Sequence, residues 1–435
     1  MRHATQMGRT AGGAARGSRT VGRCLHFAGV TLCVQLDNAP DVEIALAQAL
    51  RGWRFDSPSD PHTTARQTHV WGTRSGFSAQ SVYLDHCLDG LGVAGAACAV
   101  IADLAQDYFE TRPGCLALHC AAFRYADRLI AMTGPSRAGK STLVARLTQE
   151  ADMQVFCDDV LPMLDNGQAV GLGIAPRLRL PLPQGSSAAF KSHVAQHIGP
   201  RDDRYGYLCA PTVAPHGTRA PLSVLLILDR RSDARPQLHE VAEDEILHCL
   251  LSQNMSDLQT ADAAFRRLSD LLVGITCLRL VYSDMEDAVA LIRQAFGTSA
   301  PVAVGIEIAQ ALPHILPPDL PKPDVSPDLS WCRSPDVVMQ RKAESAFLWQ
   351  PGRHTIWQMN HLALAIWAVL EIPSSAREIG QLLSERFPDQ PLDALISDVN
   401  ALMQALSRQG LIDRAAAPDA ATRGAALPRE MTRRR

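Results

Sequence analysis

Residues 134 to 142 read GPSRAGKST and contain Lys140, one of only four lysines in the chain. The spacing Gly134-Pro135-Ser136-Arg137-Ala138-Gly139-Lys140-Ser141 fits GxxxxGK[ST] without a mismatch, with Thr142 next. The two glycines let the backbone curl so that successive N–H groups point at phosphate oxygens. Lys140 can then reach the β/γ-phosphates and the Ser141 hydroxyl can ligate Mg²⁺. A second site of chemistry follows an apolar run: "MQVFCDDV" carries Asp158 and Asp159. One carboxylate can hold Mg²⁺ and the other can take a proton from an attacking hydroxyl. Asp159 is the expected base and Asp158 the expected metal ligand, with Ser141. Without the loop upstream, the pair would read as a solvated turn. His119, in "LALHCAAF" before the loop, is a third candidate, although an isolated His is more often structural.

These residues need elements to hold them. "RLIAMTG" leads into the loop as a strand, and "KSTLVARLTQE" leaves it as a helix whose N-terminus favours anions. "MQVFCDD", "LSVLLILDR" and "CLRLVYS" are further strands, alternating with helices, so residues 111–300 read as an α/β domain. Residues 24–110 read as a small N-terminal α+β lobe, with β-like runs in "HFAGVTLCVQL" and "SVYLDH" and a helix in "GLGVAGAACAVIADLAQDYFE". Prolines 313, 317, 318, 321, 323, 327 and 335 mark 301–335 as a semi-extended linker. A separate unit spans 336–415. Its clearest helix has Leu392, Leu395, Ile396, Val399, Leu402, Met403 and Leu406 on one face and Gly410 where a C-terminal cap belongs. Residues 1–23 and 416–435 read as disordered tails, and the first lacks the apolar stretch of a signal peptide.

Composition narrows the classes. A hydrophobic share of 46% and a charged share of 20% fit a soluble globular protein, and a net charge of −3 gives no reason to expect nucleic acid. No apolar run approaches the ~20 residues that span a bilayer; "LALAIWAVL" reads as a core helix. The eleven cysteines are scattered without a CxxC or a zinc-site spacing. They read as reduced thiols of a cytoplasmic protein. A homo-oligomer is compatible with all of this.

The run from "LHCAAF" through "GPSRAGKSTLVARL" to "FCDDV" resembles the core of the bacterial HPr serine kinase/phosphorylase family. His119, Lys140, Ser141, Asp158 and Asp159 fall on matching positions. The resemblance, over about 111–300, implies a P-loop kinase domain with a mixed sheet, related to phosphoenolpyruvate carboxykinase, that uses ATP and Mg²⁺. It implies that His119 orients a carboxylate or a phosphate. Two departures concern the protein substrate: Thr142 stands where Glu is usual in that family, and no "PVRPGR"-like segment follows.

"FLWQPGRHTIWQMNHLALAIWAVLEIPSSAREIGQLLSERFP" with "LDALISDVNALMQALSRQGLI" resembles PqqD, a small winged-helix domain that binds leader peptides of ribosomally made, modified peptides. The features are the strand ending at Asn360, the helix with Trp367 and the two helices that follow. A helical dimerisation module or a DNA-binding winged helix is the alternative. Against DNA, the last helix carries Asp393 and Asp398 with Arg408 its one basic residue.

Together these readings predict an α/β kinase domain plus a C-terminal winged helix, transferring phosphoryl from ATP to a Ser/Thr hydroxyl of a captured precursor peptide. The alternatives are a non-catalytic nucleotide-binding adaptor that presents a leader peptide to a partner enzyme, and an HPr-type regulatory serine kinase.

Overall fold

The computed structural model describes residues 22–56, 66–135, 138–256, 260–297 and 325–415. The expected tails, up to residue 21 and from 416 to 435, lie outside the described residues, as does the proline-rich stretch up to 324. The described chain is mixed α/β, with several sheets and ten helices among the described residues. It divides into two compact units whose borders cut across the sequence blocks. The first joins the chain up to Pro113 with Val144–Asp158 and Val170–Arg219. The second joins Gly114–Leu143, Asp159–Ala169 and the chain from Ala220 onward.

In the first unit six strands form one sheet in the order Phe55–Asp56, Arg23–Phe27, Cys33–Asp37, Gln67–Thr73, Gly76–Gln80, Leu88–Leu91. The pairing of Cys33–Asp37 with Gln67–Thr73 is parallel, and the helix Pro40–Ala49 lies on the chain between those two strands. Alternation decides the faces: Leu25, Phe27, Val34, Leu36, Val70 and Ala79 turn inward. They pack with Val42 and Leu46 of that helix and with Ala97, Val100 and Leu104 of the helix Val93–Glu110. The expected strand "SVYLDH" is instead a turn, and the strand Gly76–Gln80 ends before it. The Ser81 hydroxyl accepts the Tyr83 N–H at 3.0 Å and donates to Asp103 at 2.8 Å, so local side-chain bonding replaces a ladder.

Asp107 anchors this unit. It is fully buried and accepts from the Thr31 N–H (2.6 Å), the Thr31 hydroxyl (2.9 Å) and the Leu32 N–H (3.2 Å). Asp107→Ala would strand these donors, each at about 1–3 kcal/mol. The expected result is a loss of roughly 3 kcal/mol or more in the first urea transition of the full chain, read by circular dichroism. An unchanged midpoint would show that water replaces the carboxylate.

In the second unit Arg128–Thr133, Thr218–Arg230 and Thr276–Tyr282 run parallel, with Ala121–Tyr125 and Gln237–Glu240 antiparallel at either side. The three parallel strands finish at the same edge of the sheet, Thr133 at the level of Ile227 and Tyr282 at that of Arg230. The Gly-bounded loop therefore leaves the carboxyl end of a parallel sheet, where such sheets place their ligand sites. Leu116–His119 pairs antiparallel with Val160–Met163.

The C-terminal body belongs to this unit. Val338–Lys342, Ser345–Trp349 and Trp357–Met359 form one antiparallel sheet, and Ser374–Ser375, Ser330–Arg333 and Ile412–Arg414 a second. Ser330–Arg333 falls within the expected linker but pairs as a strand. The helices His361–Val369, Ala376–Arg386 and Leu392–Arg408 close a core around Leu348, Ile366, Trp367, Val399 and Leu406. Their starts are locally encoded. The Asn360 side chain accepts the Ala363 N–H, and Ser375 with Glu378 makes a reciprocal capping box. This body does not hang on its linker alone. Phe265, from the helix Ala261–Leu272, lies 5.4 Å from the Phe347 ring and 5.0 Å from Trp349. The Ala261 N–H donates to the Arg353 carbonyl at 2.8 Å, and Lys342 pairs with Glu243 at 2.6 Å.

Among the described residues no helix is long and apolar enough to cross a membrane. The expectation of reduced thiols throughout is corrected for Cys24 and Cys33, which form a disulfide; the other nine cysteines are not disulfide-bonded. Cys33 lies opposite His26 in the register, two residues from Cys24 on the same face, and this diagonal brings the two side chains within reach.

Candidate active site

The loop takes its shape from two glycines. Gly134 sits at φ +144° and Gly139 at φ +98°, where a side chain is strained. A Cβ on Gly134 would come 2.9 Å from the Leu228 carbonyl oxygen, and one on Gly139 would come 2.5 Å from the Tyr282 hydroxyl. Ser136 and Arg137 lie outside the described residues; Pro135 is exposed and Ala138 buried. The helix Lys140–Leu147 starts directly after Gly139, whose carbonyl accepts the Leu143 N–H at 2.8 Å, so Ser141 and Thr142 stand in its first turn.

Lys140 is 9% exposed, and its ammonium donates to the Gly134 carbonyl at 2.8 Å and to that of Pro135 at 3.4 Å. The side chain is thus folded over its own loop. Burial lowers its pKa from the usual lysine value, and the negative charge of nearby groups, Asp159 among them, opposes that shift.

His119 and Asp159 meet for a reason of register. Val160 pairs with His119, so Asp159, one residue before that strand, arrives beside the imidazole. Nε2 lies 3.2 Å from Oδ1, with the His119 side chain 41% and the Asp159 side chain 69% exposed. Asp158 belongs to the other unit and is described there. It is 7% exposed, and its Oδ2 accepts the Arg177 N–H at 2.8 Å. Neighbouring carboxylates thus have unlike environments, one buried and amide-bound, the other open and beside a histidine.

Tyr282 is the residue that sequence reading did not single out. Its hydroxyl donates to the Ala138 carbonyl at 2.7 Å across a separation of 144 residues. Burial pushes its pKa up to about 12, so at neutral pH it stays protonated and donates. No local signal in "CLRLVYS" marks it, because its strand is one removed from the loop strand, with Thr218–Arg230 between them. Cys249, from the helix Glu243–Gln253, is a second neighbour, its sulfur 3.6 Å from the Thr133 hydroxyl.

The donor set suits a phosphate and a hard cation. Lys140 offers one ammonium, while the side-chain oxygens of Ser141 and Asp159, in the same unit, are the ligand type Mg²⁺ takes. A Cβ would fill the curve at both glycines. The site's residues fit a metal-bound nucleoside triphosphate.

The family model described as "Coenzyme PQQ synthesis protein D (PqqD)" matches residues 346–412, so a PqqD domain lies at the C-terminal end. A solved structure similar to this chain is the "Hpr(Ser) kinase/phosphatase from Coxiella burnetii". It is 12% identical, and the match covers 40% of this chain and 90% of that one with a TM-score of 0.21. No curated protein matches the chain.

Proposed function

We propose that the chain is an ATP-dependent kinase that phosphorylates a Ser or Thr hydroxyl on a peptide captured by its PqqD domain. The observation that carries this reading is that Lys140, on a Gly-bounded loop, shares one unit with the His119–Asp159 pair and with the C-terminal body. A phosphate-gripping ammonium and an open carboxylate are the two groups that moving a phosphoryl group to a hydroxyl requires.

In this mechanism the loop amides and Lys140 hold the triphosphate and stabilise charge on the transferred group. Lys140 exchanges its loop carbonyls for phosphate oxygens. Ser141 and Asp158 would hold Mg²⁺, which would supply charge neutralisation for the transferred phosphate. Asp159 takes the proton of the acceptor hydroxyl while that oxygen bonds to the γ-phosphorus and the bond to the β-phosphate oxygen breaks, releasing ADP. His119 Nε2 orients the Asp159 carboxylate. The peptide's leader adds as a strand to an edge of the sheet that includes Ser345–Trp349, in the manner of other sheet-edge recognition modules.

ADP release and phosphopeptide formation with a leader-bearing precursor test this directly. Both are expected to be lost in Lys140→Ala, because the amide cradle alone cannot balance the β/γ-phosphate charge. ADP formation that persists undiminished in that variant would end the kinase reading. Peptide binding with no ADP in the unaltered chain would favour an adaptor. Tyr282→Phe removes one buried hydrogen bond from the loop, a loss of about 1 kcal/mol. Nucleotide affinity, measured by calorimetry, is expected to fall by on the order of fivefold with an unaltered far-ultraviolet spectrum. Unchanged affinity would mean that the glycines alone set the loop.

A further inference from the structure

The outer face of the first unit's sheet carries chemistry that the kinase reading does not use. Cys24 and His26 sit two residues apart on the strand Arg23–Phe27, so both point to the same face, away from Leu25 and Phe27. His26 pairs directly with Cys33 on the neighbouring strand. Three ligand-type side chains therefore share one face of an antiparallel pair, and their ligand atoms all lie within 4.8 Å of one another. They are the one such group of three found among the described residues. In the structure the two sulfurs are joined as a disulfide, and Cys24 Sγ lies 3.4 Å from His26 Nε2.

That last distance is informative. Two ligands of a tetrahedral zinc, a sulfur at about 2.3 Å and a nitrogen at about 2.0–2.1 Å, stand roughly 3.6 Å apart. The imidazole is already at ligand spacing from the Cys24 sulfur. The neighbouring polar residues on this face are otherwise engaged: His69 Nε2 lies 2.8 Å from Asp37, and Gln35 donates to Asp37 at 2.9 Å. Access is unequal in a useful way. Cys24 is exposed, His26 half-buried and Cys33 buried, so an incoming dithiol can attack Cys24 first while Cys33 leaves.

We infer that reduction of the Cys24–Cys33 disulfide opens a metal site in which Cys24, Cys33 and His26 hold one borderline-soft divalent cation of the zinc class. A dithiol reductant supplies two electrons and two protons, and the disulfide becomes two thiols. On metal binding each thiol gives its proton to solvent, its sulfur bonds the cation as thiolate, and His26 donates its Nε2 lone pair. The fourth tetrahedral position falls to water or an outside ligand, an open coordination that differs from the closed four-ligand set of a purely structural zinc. The same residues thus serve either as a covalent clip or as a cation site, according to the thiol balance around them.

The test uses the full-length protein, reduced and freed of reductant, titrated with Zn²⁺ against a chromophoric indicator. The reduced wild type is expected to bind one equivalent more than Cys24→Ser, than His26→Ala and than the oxidised wild type. Bound Zn²⁺ is expected to protect Cys24 and Cys33 from alkylation, read by peptide mass spectrometry, in the wild type and not in His26→Ala. His26→Ala retains both thiols and forms the disulfide, so its loss separates metal ligation from the clip. Equal zinc stoichiometry in the reduced wild type and His26→Ala, with equal alkylation, would overturn the inference and leave a disulfide only.

Discussion

Asp159→Asn is expected to leave ATP·Mg²⁺ affinity intact and to cut phosphoryl transfer by ~10²–10⁴-fold, the usual worth of a positioned general base. The side chain is 69% exposed, so an amide fits without repacking, and the imidazole of His119 at 3.2 Å has an oxygen to face in either residue. What the amide lacks is basicity: the acceptor proton has no destination. Asp158→Asn should behave differently. That carboxylate is buried and accepts the Arg177 N–H, and its expected role is with the metal, so the variant should raise the Mg²⁺ concentration needed for half-maximal rate. Single-turnover transfer and nucleotide titration, run on both variants, separate the roles. Transfer surviving in Asp159→Asn and failing in Asp158→Asn at saturating Mg²⁺ would reverse the assignment.

A precursor stripped of its leader should be phosphorylated by the full chain on the order of a hundredfold more slowly than the intact precursor, within the avidity range of linked modules. The loss should appear in kcat/KM, with kcat at saturating peptide little changed, because capture raises local concentration and makes no contact with the reacting atoms. Free leader added in trans then competes with an intact precursor and does not rescue the stripped one. Rescue by free leader would show that occupancy of the PqqD domain activates the kinase site instead of delivering substrate to it. Deleting the domain is a poorer test. Phe265 packs against Phe347 and Trp349, and uncovering it removes an aromatic's burial, worth roughly 1.5–3 kcal/mol.

The parts legible in the sequence were those set by neighbours along the chain. The loop announced itself through two glycines and a lysine in fixed spacing, and its flanking strand and helix by apolar run and periodicity. The caps at Asn360 and at Ser375 with Glu378 are contacts over three residues, but they were not read as helix starts. "SVYLDH" misled because alternation cannot show that the Ser81 hydroxyl prefers a local bond to a ladder. Tyr282 was invisible as a partner of Ala138 because the bond depends on the strand order, in which Thr218–Arg230 stands between the two strands. His119 and Asp159 were matched through a family resemblance, while the register between their strands supplies the physical cause. Phe265 belongs to a stripe that reads as ordinary core; nothing local says that its partners are Phe347 and Trp349.

The fastening of the C-terminal body has a consequence for how an acceptor is chosen. Two aromatic contacts, a main-chain hydrogen bond and an ion pair join it to helices of the unit that holds His119, Lys140 and Asp159. On the proposed reading the grip on the leader and the point of transfer are then the two jaws of a calliper locked at one opening. An extended peptide gains about 3.3–3.6 Å per residue, so each residue inserted between leader and acceptor shifts the hydroxyl by a countable step. A loosely strung grip would accept many spacings with slowly falling rate, whereas a locked one favours the length that fills the gap. Selection then acts on distance along the peptide, and the residues around the acceptor are free to vary.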